Sequence, residues 1–507
     1  MCFLFKEFEL QKLCRLTMAI SKGTTLGLAY IIVIIALILP QTAAQVVSIE
    51  ESVVEDKTIR VDPLDHFKKY RGGFDITDIH YWTSVVFTGK YGYAIGVLWL
   101  LCGMICGLFW IIITLCCQDG GRRLRKILLC NCNSCPFSPI PLVISFIILI
   151  MVSSVVVYVG SANFNFQAKT SVNVIAKIAD DAAEIVHDAS IVLKEVQKQL
   201  ESGITADVIT KLNATAQRMD KAVDEILKKT WKHRRSVNKT FKVVLIITIL
   251  IITLNLVAVP ILSVFGVKMF WRPFYVFVVL CWLMTVICWL IFGLYFFFEN
   301  FSQDICRVLE TFEENPYNST LSSALPCAKL LSAKSFLHKI AAGVTQIVYE
   351  VNTNPSLLPD GVYLCNPFSA PPEYLYQPDM CQPDTVKIVD IPKVLRYYTC
   401  ISDNRENCGS TEESMKADEY SLLETYTDII QSILNLYPRM DRLIECQLVK
   451  DAFSQIILKH CKPLKKFSRM TWIGEMFLAV FMVFFLVTWT IRACQDHNNH
   501  HPPDSPV

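Results

Sequence analysis

Five long apolar segments set the pattern of hydrophobic and polar positions along this chain. Each is close to the roughly 20 residues that an α-helix needs to cross the hydrocarbon core of a bilayer. The five segments are Tyr93–Leu115, Ile140–Val159, Val243–Phe265, Pro273–Phe298 and Met470–Ile491. We therefore predict an all-α polytopic membrane protein with five transmembrane helices.

A shorter apolar run near the N-terminus is typical of a signal peptide. Lys22 precedes the run Leu26–Leu39, and the small-residue segment Thr42–Ala44 follows it. The run is shorter than a membrane span requires. We predict that residues 1–44 are removed by cleavage near Ala44. Retention of the run as an anchor is the alternative, because the stretch before Met18 is unusual for a signal peptide.

Cleavage places the mature N-terminus outside the cytosol, and the sides of the other segments follow from it. The predicted extracellular segments are 45–92, 161–242 and 299–469, and the cytosolic ones are 116–139, 266–272 and 492–507. We expect a protein of the plasma membrane or another secretory-pathway membrane, with its C-terminus in the cytosol.

Cysteines and N-glycosylation sequons agree with this topology. Segment 299–469 holds eight cysteines, and an oxidising compartment would let them form disulfide bonds. These candidates are Cys306, Cys327, Cys365, Cys381, Cys400, Cys408, Cys446 and Cys461. Eight cysteines allow 105 pairings, so their connectivity stays open. Sequons in predicted extracellular segments make Asn213 and Asn318 candidates for glycosylation. The basic stretch Lys228–Lys242 disagrees, because positive charge is usually cytosolic.

Amphipathic patterns predict helices in both large extracellular segments. A narrow apolar stripe runs along Ala168–Leu200, a break follows at Ser202-Gly203, and a second stripe covers Val208–Ile226. We predict an antiparallel helical hairpin continuing from the second and third spans. In the larger segment, helical patterns flank the proline-rich stretch Asn352–Pro392, which we expect to be irregular and held by disulfide bonds.

Composition and motifs narrow the possible functions. The chain has 507 residues, is 53% hydrophobic and carries a net charge of +2, which is too apolar for a typical soluble protein. No basic domain with interleaved aromatic residues is present, which argues against nucleic-acid binding. The sequence contains no P-loop, His-Glu-x-x-His motif or nucleophile elbow. We therefore expect a protein that is not an enzyme and has no cofactor.

Small residues on the first span are candidates for helix packing or a lipid groove. Four glycines share one helix face there: Gly92, Gly96, Gly103 and Gly107. The ordinary abundance of glycine in membrane helices is the alternative explanation. The segment Lys90–Val97 also matches a weak sterol-contact pattern.

Charged residues are nearly absent from the spans, and Glu475 is the acid that lies clearly inside one. A charge at the centre of a membrane helix costs at least about 2.5 kcal/mol, so such residues are often functional. Glu475 is either a solvated acid near the interface or part of a pore or subunit contact. Asn255 and Pro260 are candidates for a kink in the third span.

A cysteine cluster marks the first cytosolic loop, beside several basic residues. The cluster consists of Cys116, Cys117, Cys130, Cys132 and Cys135. Its irregular spacing and the lack of a nearby histidine are unusual for a zinc site. We therefore predict juxtamembrane acylation and no metal.

The five spans, the cysteine-rich basic loop and the two helical outer segments resemble the tweety and prominin families. The residues that carry the resemblance are Cys116-Cys117 with Cys130-x-Cys132-x-x-Cys135, Ser302–Cys306, Tyr397–Cys400, and Cys446 with Cys461. It covers about Tyr91 to Arg492 and lies in topology and cysteine position. The resemblance implies a helical extracellular bundle and a homodimer at the plasma membrane. It also suggests Cys446–Cys461 and Cys306–Cys400 disulfide bonds.

The favoured hypothesis is a non-enzymatic protein that binds membrane lipids, sterol included, and organises membrane shape or microdomains. The first alternative is an anion (chloride) channel of the tweety type, in which Arg234 and Arg235 would attract anions or lipid headgroups. The second alternative is an adhesion or receptor-like ectodomain.

Overall fold

The computed structural model describes residues 59–116, 140–200, 206–268, 271–316, 321, 327–354, 361–396 and 417–500. About 85% of the described residues are helical, in agreement with the predicted all-α fold. Contacts divide it into two compact units. The first comprises the chain up to Phe164 with Val244–Asp304 and Leu464–Val507, and the second comprises Asn165–Val243 with Ile305–Pro463.

Five helices are long and apolar enough to cross a membrane, which confirms the predicted fold class. These are α2 (Lys90–Cys116), α3 (Ile140–Leu200), α4 (Ala206–Lys268), α5 (Trp271–Glu314) and α11 (Lys462–His500). Most extend well beyond their predicted spans, because the amphipathic stripes next to the apolar windows continue the same helices. Pro260, one of the two candidates for a kink in the third span, lies inside α4.

Shorter elements complete the described chain. The remaining helices are α1 (Ile79–Val86), α6 (Cys327–Leu331), α7 (Lys334–Thr353), α8 (Ile391–Leu395), α9 (Ala417–Ile444) and α10 (Gln447–Ile456). The strands are β1 (Arg60–Val61), β2 (Lys69–Tyr70), β3 (Tyr363–Leu364) and β4 (Thr385–Val386). β1 pairs with β2 antiparallel, and β3 pairs with β4 parallel.

The first unit packs the apolar parts of the spanning helices around a closed core. Val157 of α3, Leu262 of α4, Tyr295 of α5 and Leu478 of α11 are all fully buried or nearly so. Small residues permit close helix contacts. A Cβ at Gly160 of α3 would lie 2.6 Å from the Thr471 hydroxyl of α11.

The N-terminal segment of the first unit is tied to α5 by an ion pair. Both terminal guanidinium nitrogens of Arg60, Nη1 and Nη2, donate to the carboxylate of Asp304, each at 2.6 Å. The Tyr81 hydroxyl of α1 donates to the same carboxylate at 3.2 Å. Asp304 is 3% exposed. The segment before the first span is therefore built into the fold.

The second unit contains the predicted antiparallel hairpin. Asn165 of α3 donates to the Phe241 carbonyl of α4 at 2.7 Å, and the Ser190 hydroxyl donates to Asp220 at 2.6 Å. As residue numbers rise along α3, its partners on α4 fall, which shows that the two helices run antiparallel. The predicted break at Ser202-Gly203 lies outside the described residues.

Two disulfide bonds in the second unit enclose a small core around Phe312 and Phe453. They join Cys306 to Cys461 and Cys327 to Cys446. The Cys446–Cys461 and Cys306–Cys400 pairs suggested by the resemblance are therefore wrong. Residues 447–461 form continuous helical turns, so Cys446 and Cys461 are about 20 Å apart along the axis, too far for a bond.

A third disulfide bond, Cys365–Cys381, closes a short loop in the proline-rich stretch. Short strands and single turns occupy the described part of this stretch, in agreement with the predicted irregular structure. Cys400 and Cys408 lie outside the described residues. A π-helical turn, Ile457–Cys461, precedes Pro463. Proline lacks an N–H and crowds the carbonyl four residues before it, and a wider turn relieves both problems.

Candidate functional site

Three of the four glycines on the first span face helix α5. A Cβ at Gly92 would lie 2.7 Å from the backbone nitrogen of Gly293, and one at Gly103 would lie 2.2 Å from the Trp282 ring. A Cβ at Gly96 would make ordinary contacts with the same helix, whereas one at Gly107 would meet no atom within 4 Å. This face is therefore a close helix contact from Gly92 to Gly103, and Gly107 takes no part in it.

Glu475 is fully buried in the first unit, at 0% exposure. The structure thus excludes the solvated interfacial position for this acid. Among the described residues, the Cys288 thiol is the polar side chain beside its carboxyl group, and no lysine or arginine pairs with it. Asn255 of α4 is buried to the same extent as Glu475 of α11.

The predicted modification sites are only partly described. Asn213 is exposed on α4, where a glycan has room. Cys116 is the last residue of α2. Asn318 and the other four acylation candidates, Cys117, Cys130, Cys132 and Cys135, lie outside the described residues.

The basic pair of the anion-channel alternative lies on α4 within the second unit. Arg234 donates to the Asn173 side chain of α3 at 3.1 Å, and the Arg235 guanidinium lies 5.2 Å from the centre of the Trp231 ring. Both side chains therefore make their contacts within the helical hairpin to which they belong.

An apolar cavity of about 360 Å³ lies in the second unit between α7, α9 and the 364–395 segment. Each helix contributes four residues at the spacing of one helical face. The lining residues are Val344, Ile347, Val348 and Val351 of α7, Leu423, Tyr426, Thr427 and Ile430 of α9, and Leu364, Ile388, Ile391 and Leu395. Its volume falls within the range of about 300–1,000 Å³ that is usual for small-molecule sites.

The cavity has a buried floor and an exposed mouth. Val348 and Leu364 are buried, whereas Ile347 is 46% and Tyr426 is 40% exposed. The Thr427 hydroxyl donates to the carbonyls of its own helix, at 3.0 Å and 2.8 Å. Charged side chains are absent from the lining. Such a cavity suits the apolar part of a ligand and disfavours an ion.

Sequence reasoning identifies both helices of this cavity but not the cavity itself. The repeated spacing of 0, 3, 4 and 7 residues on α7 and α9 was the available signal. The third wall of the cavity is the irregular 364–395 segment, and its position depends on how that segment packs against α7 and α9. That arrangement follows from the Cys365–Cys381 bond and the β3–β4 pairing, neither of which periodicity reveals.

Together, these features define a polytopic helical membrane protein with five helices able to span a bilayer and a disulfide-bonded helical unit. A comparison of the chain with protein-family models and with curated proteins found no match.

Proposed function

We propose that this protein is a non-enzymatic membrane protein that binds a lipid in the apolar cavity between α7 and α9. The lipid class is a molecule whose buried portion is hydrocarbon, either a fatty acyl chain or a sterol ring system. The cavity carries the proposal, because its walls offer branched aliphatic side chains and no charged group. Burying hydrocarbon there yields about 25 cal/mol for each Å² removed from water.

The resemblance to tweety and prominin proteins supports the same proposal from topology. On this proposal the protein belongs near those families, forms a homodimer in the plasma membrane and organises lipids there. The disulfide bonds of the second unit support its placement in an oxidising compartment, since such bonds persist outside the cytosol. The N-terminus is then extracellular and the C-terminus cytosolic.

A substitution at the cavity mouth tests the proposal. Ile347→Trp places a large ring over the opening and should reduce lipid capture at least about fivefold, because the floor becomes inaccessible. Capture is measured by photo-crosslinking the full chain in bilayer nanodiscs, with a photoreactive fatty acid in one arm and a photoreactive sterol in the other. The arm that labels the cavity peptides identifies the lipid class.

Tyr349→Trp is the matched control, because Tyr349 lies on the same helix, is 63% exposed and does not line the cavity. It should capture lipid like the unmodified protein. Equal labelling of both variants, or labelling that avoids α7 and α9 altogether, contradicts the proposal.

A further inference from the structure

One face of α4 carries a row of positive charges just before the predicted third span. Its members follow one another at intervals of four, three, four and three residues, which places them on a single face of the helix. They are Lys228, Lys232, Arg235, Lys239 and Lys242, and each of these side chains is exposed. We call these five residues the cationic stripe.

The cationic stripe has no counter-charge in the described part of the chain. None of its five side chains forms an ion pair with a described residue. α4 contains no aspartate or glutamate after Glu225, and neither does the stretch Ser161–Ala179 of α3, which packs against this part of α4. Like charges three and four residues apart repel each other and destabilise a helix. The stripe therefore leaves an uncompensated positive potential on this face of α4.

Other lysines of the same helical hairpin show how its charges are normally accommodated. Lys229 pairs with Glu225 one turn away on α4, at 2.6 Å. Lys194 of α3 pairs with Asp220 of α4 at 2.5 Å. Pairing with acids of the hairpin thus ends where the cationic stripe begins.

The side of the membrane on which the stripe is proposed to lie is unusual for positive charge. Lysine and arginine next to a span are normally cytosolic. The stripe belongs to the second unit, whose disulfide bonds support an extracellular position. Binding of an anionic partner outside the cell would explain why the charges are there.

The length of the stripe distinguishes between two kinds of anionic partner. Lys228 lies 14 residues before Lys242, which is about 21 Å along the helix axis and still about 16 Å along the membrane normal if the helix tilts by about 40°. The headgroup layer of one leaflet is about 5–8 Å thick. Lipid headgroups could therefore reach Lys242 and Lys239 but not the three cations further from the span. A linear polyanion that lies along α4 contacts all five.

We propose that the cationic stripe binds a sulfated polysaccharide of the heparin class on the extracellular side. Sulfate groups recur along such a chain, and clustered lysine and arginine residues suit it electrostatically. The Trp231 ring borders the stripe, is 62% exposed and lies 5.2 Å from the Arg235 guanidinium. It offers a flat apolar surface to the C–H face of a sugar ring. Nucleic acid, the other common linear polyanion, is found mainly on the cytosolic side.

The test is binding of heparin to the full chain in phosphatidylcholine nanodiscs, which carry no net lipid charge, measured by surface plasmon resonance at several NaCl concentrations. Release of counterions by five cations predicts a slope of about −4 for the logarithm of the affinity against the logarithm of the salt concentration. The triple variant Lys228→Gln/Lys232→Gln/Arg235→Gln should bind at least about tenfold more weakly and reduce this slope by about 2. Heparin stripped of its sulfate groups should bind the unmodified protein at least about tenfold more weakly than intact heparin.

Lys198→Gln/Lys211→Gln/Arg218→Gln is the matched control, because it removes two lysines and one arginine from exposed positions near the other end of the hairpin. It should bind heparin like the unmodified protein. Absence of heparin binding, equal weakening of the two triple variants, or equal binding of the desulfated chain would overturn the proposal. Retention of phosphatidylserine by the purified protein, lost in the stripe variant, would then identify an anionic lipid as the partner.

Lysine acetylation gives a second measurement, on the unmodified protein, that does not require any variant to fold. Heparin should protect Lys228, Lys232 and Lys239 from the reagent in a saturable manner, as read by mass spectrometry, and should leave Lys198 unprotected. Equal labelling of the stripe with and without heparin contradicts the proposal. The stripe shares no residue with the apolar cavity, so loss of heparin binding and loss of lipid capture are separate outcomes.

Discussion

Arg60 and Asp304 form an ion pair that is almost closed to solvent, with side-chain exposures of 13% and 2%. Removing one member leaves the other buried and uncompensated. Arg60→Ala should therefore lower the free energy of unfolding by about 3–5 kcal/mol. The measurement is the denaturation midpoint of the purified protein, followed by tryptophan fluorescence.

Arg71→Ala is the control for this prediction, because Arg71 lies in the same N-terminal segment with an exposed side chain. It should change the midpoint little. Similar midpoints for the two variants would mean that the Arg60–Asp304 pair adds no stability.

At the scale of single residues, the sequence shows where each residue type lies along the chain, but not which side chains surround it in the fold. It marks Glu475 as an acid inside a span, but Asn255, Cys288 and Glu475 are far apart in the chain. Only the packing of three helices brings them together. Asp304 is a second example. The sequence shows that it lies just after the fourth span, but not that it pairs with Arg60, which is 244 residues away.

At the scale of helices, the contact between α2 and α5 depends on missing side chains. Gly92→Val would place its Cβ 2.7 Å from the Gly293 backbone nitrogen, and backbone cannot move aside as a flexible side chain can. We expect a loss of about 1–3 kcal/mol, as for other overpacked contacts. Thermal unfolding in nanodiscs measures it.

Gly107→Val belongs to the same helix and adds the same atoms where no neighbour lies within 4 Å. Its unfolding temperature should stay close to that of the unmodified protein. If the two valine variants were equally unstable, the cause would be valine in α2 and the helix contact would be irrelevant.

The existence and type of the long helices could be predicted, because apolar length and a period near 3.6 residues are local signals. Periodicity also predicts the amphipathic helix Ala168–Leu200 that continues from the second span. α3 runs from Ile140 to Leu200 without a break, since the apolar window gives way directly to the amphipathic stripe. The apolar cavity could not be predicted, because its walls come from two helices and an irregular loop whose relative positions are not local signals.

At the scale of the whole molecule, the disulfide bonds restrain the second unit unequally. The Cys306–Cys461 bond closes a separation of 155 residues, against 16 for Cys365–Cys381. Because the Cys327–Cys446 bond already closes 119 of those residues, the outer bond closes an effective loop of about 36 residues, for which the chain-entropy relation gives about 4 kcal/mol, against about 3 kcal/mol for the short loop. The Cys306→Ser/Cys461→Ser double variant should therefore lose more stability than Cys365→Ser/Cys381→Ser.

Denaturant midpoints of the two double variants measure this difference. Mass spectrometry of unreduced peptides checks the connectivity itself. A peptide linking Cys446 to Cys461 would refute the pairing on which the comparison rests.

The long disulfide bonds are nested, with Cys327–Cys446 lying inside Cys306–Cys461. During synthesis, Cys306 must wait for a partner made 155 residues later, a delay of roughly 8–30 s at ribosomal speeds of about 5–20 residues per second. Cys365 and Cys381 emerge during that interval and can meet the waiting thiols. Early closure of the short loop therefore removes two thiols that could otherwise pair wrongly with Cys306.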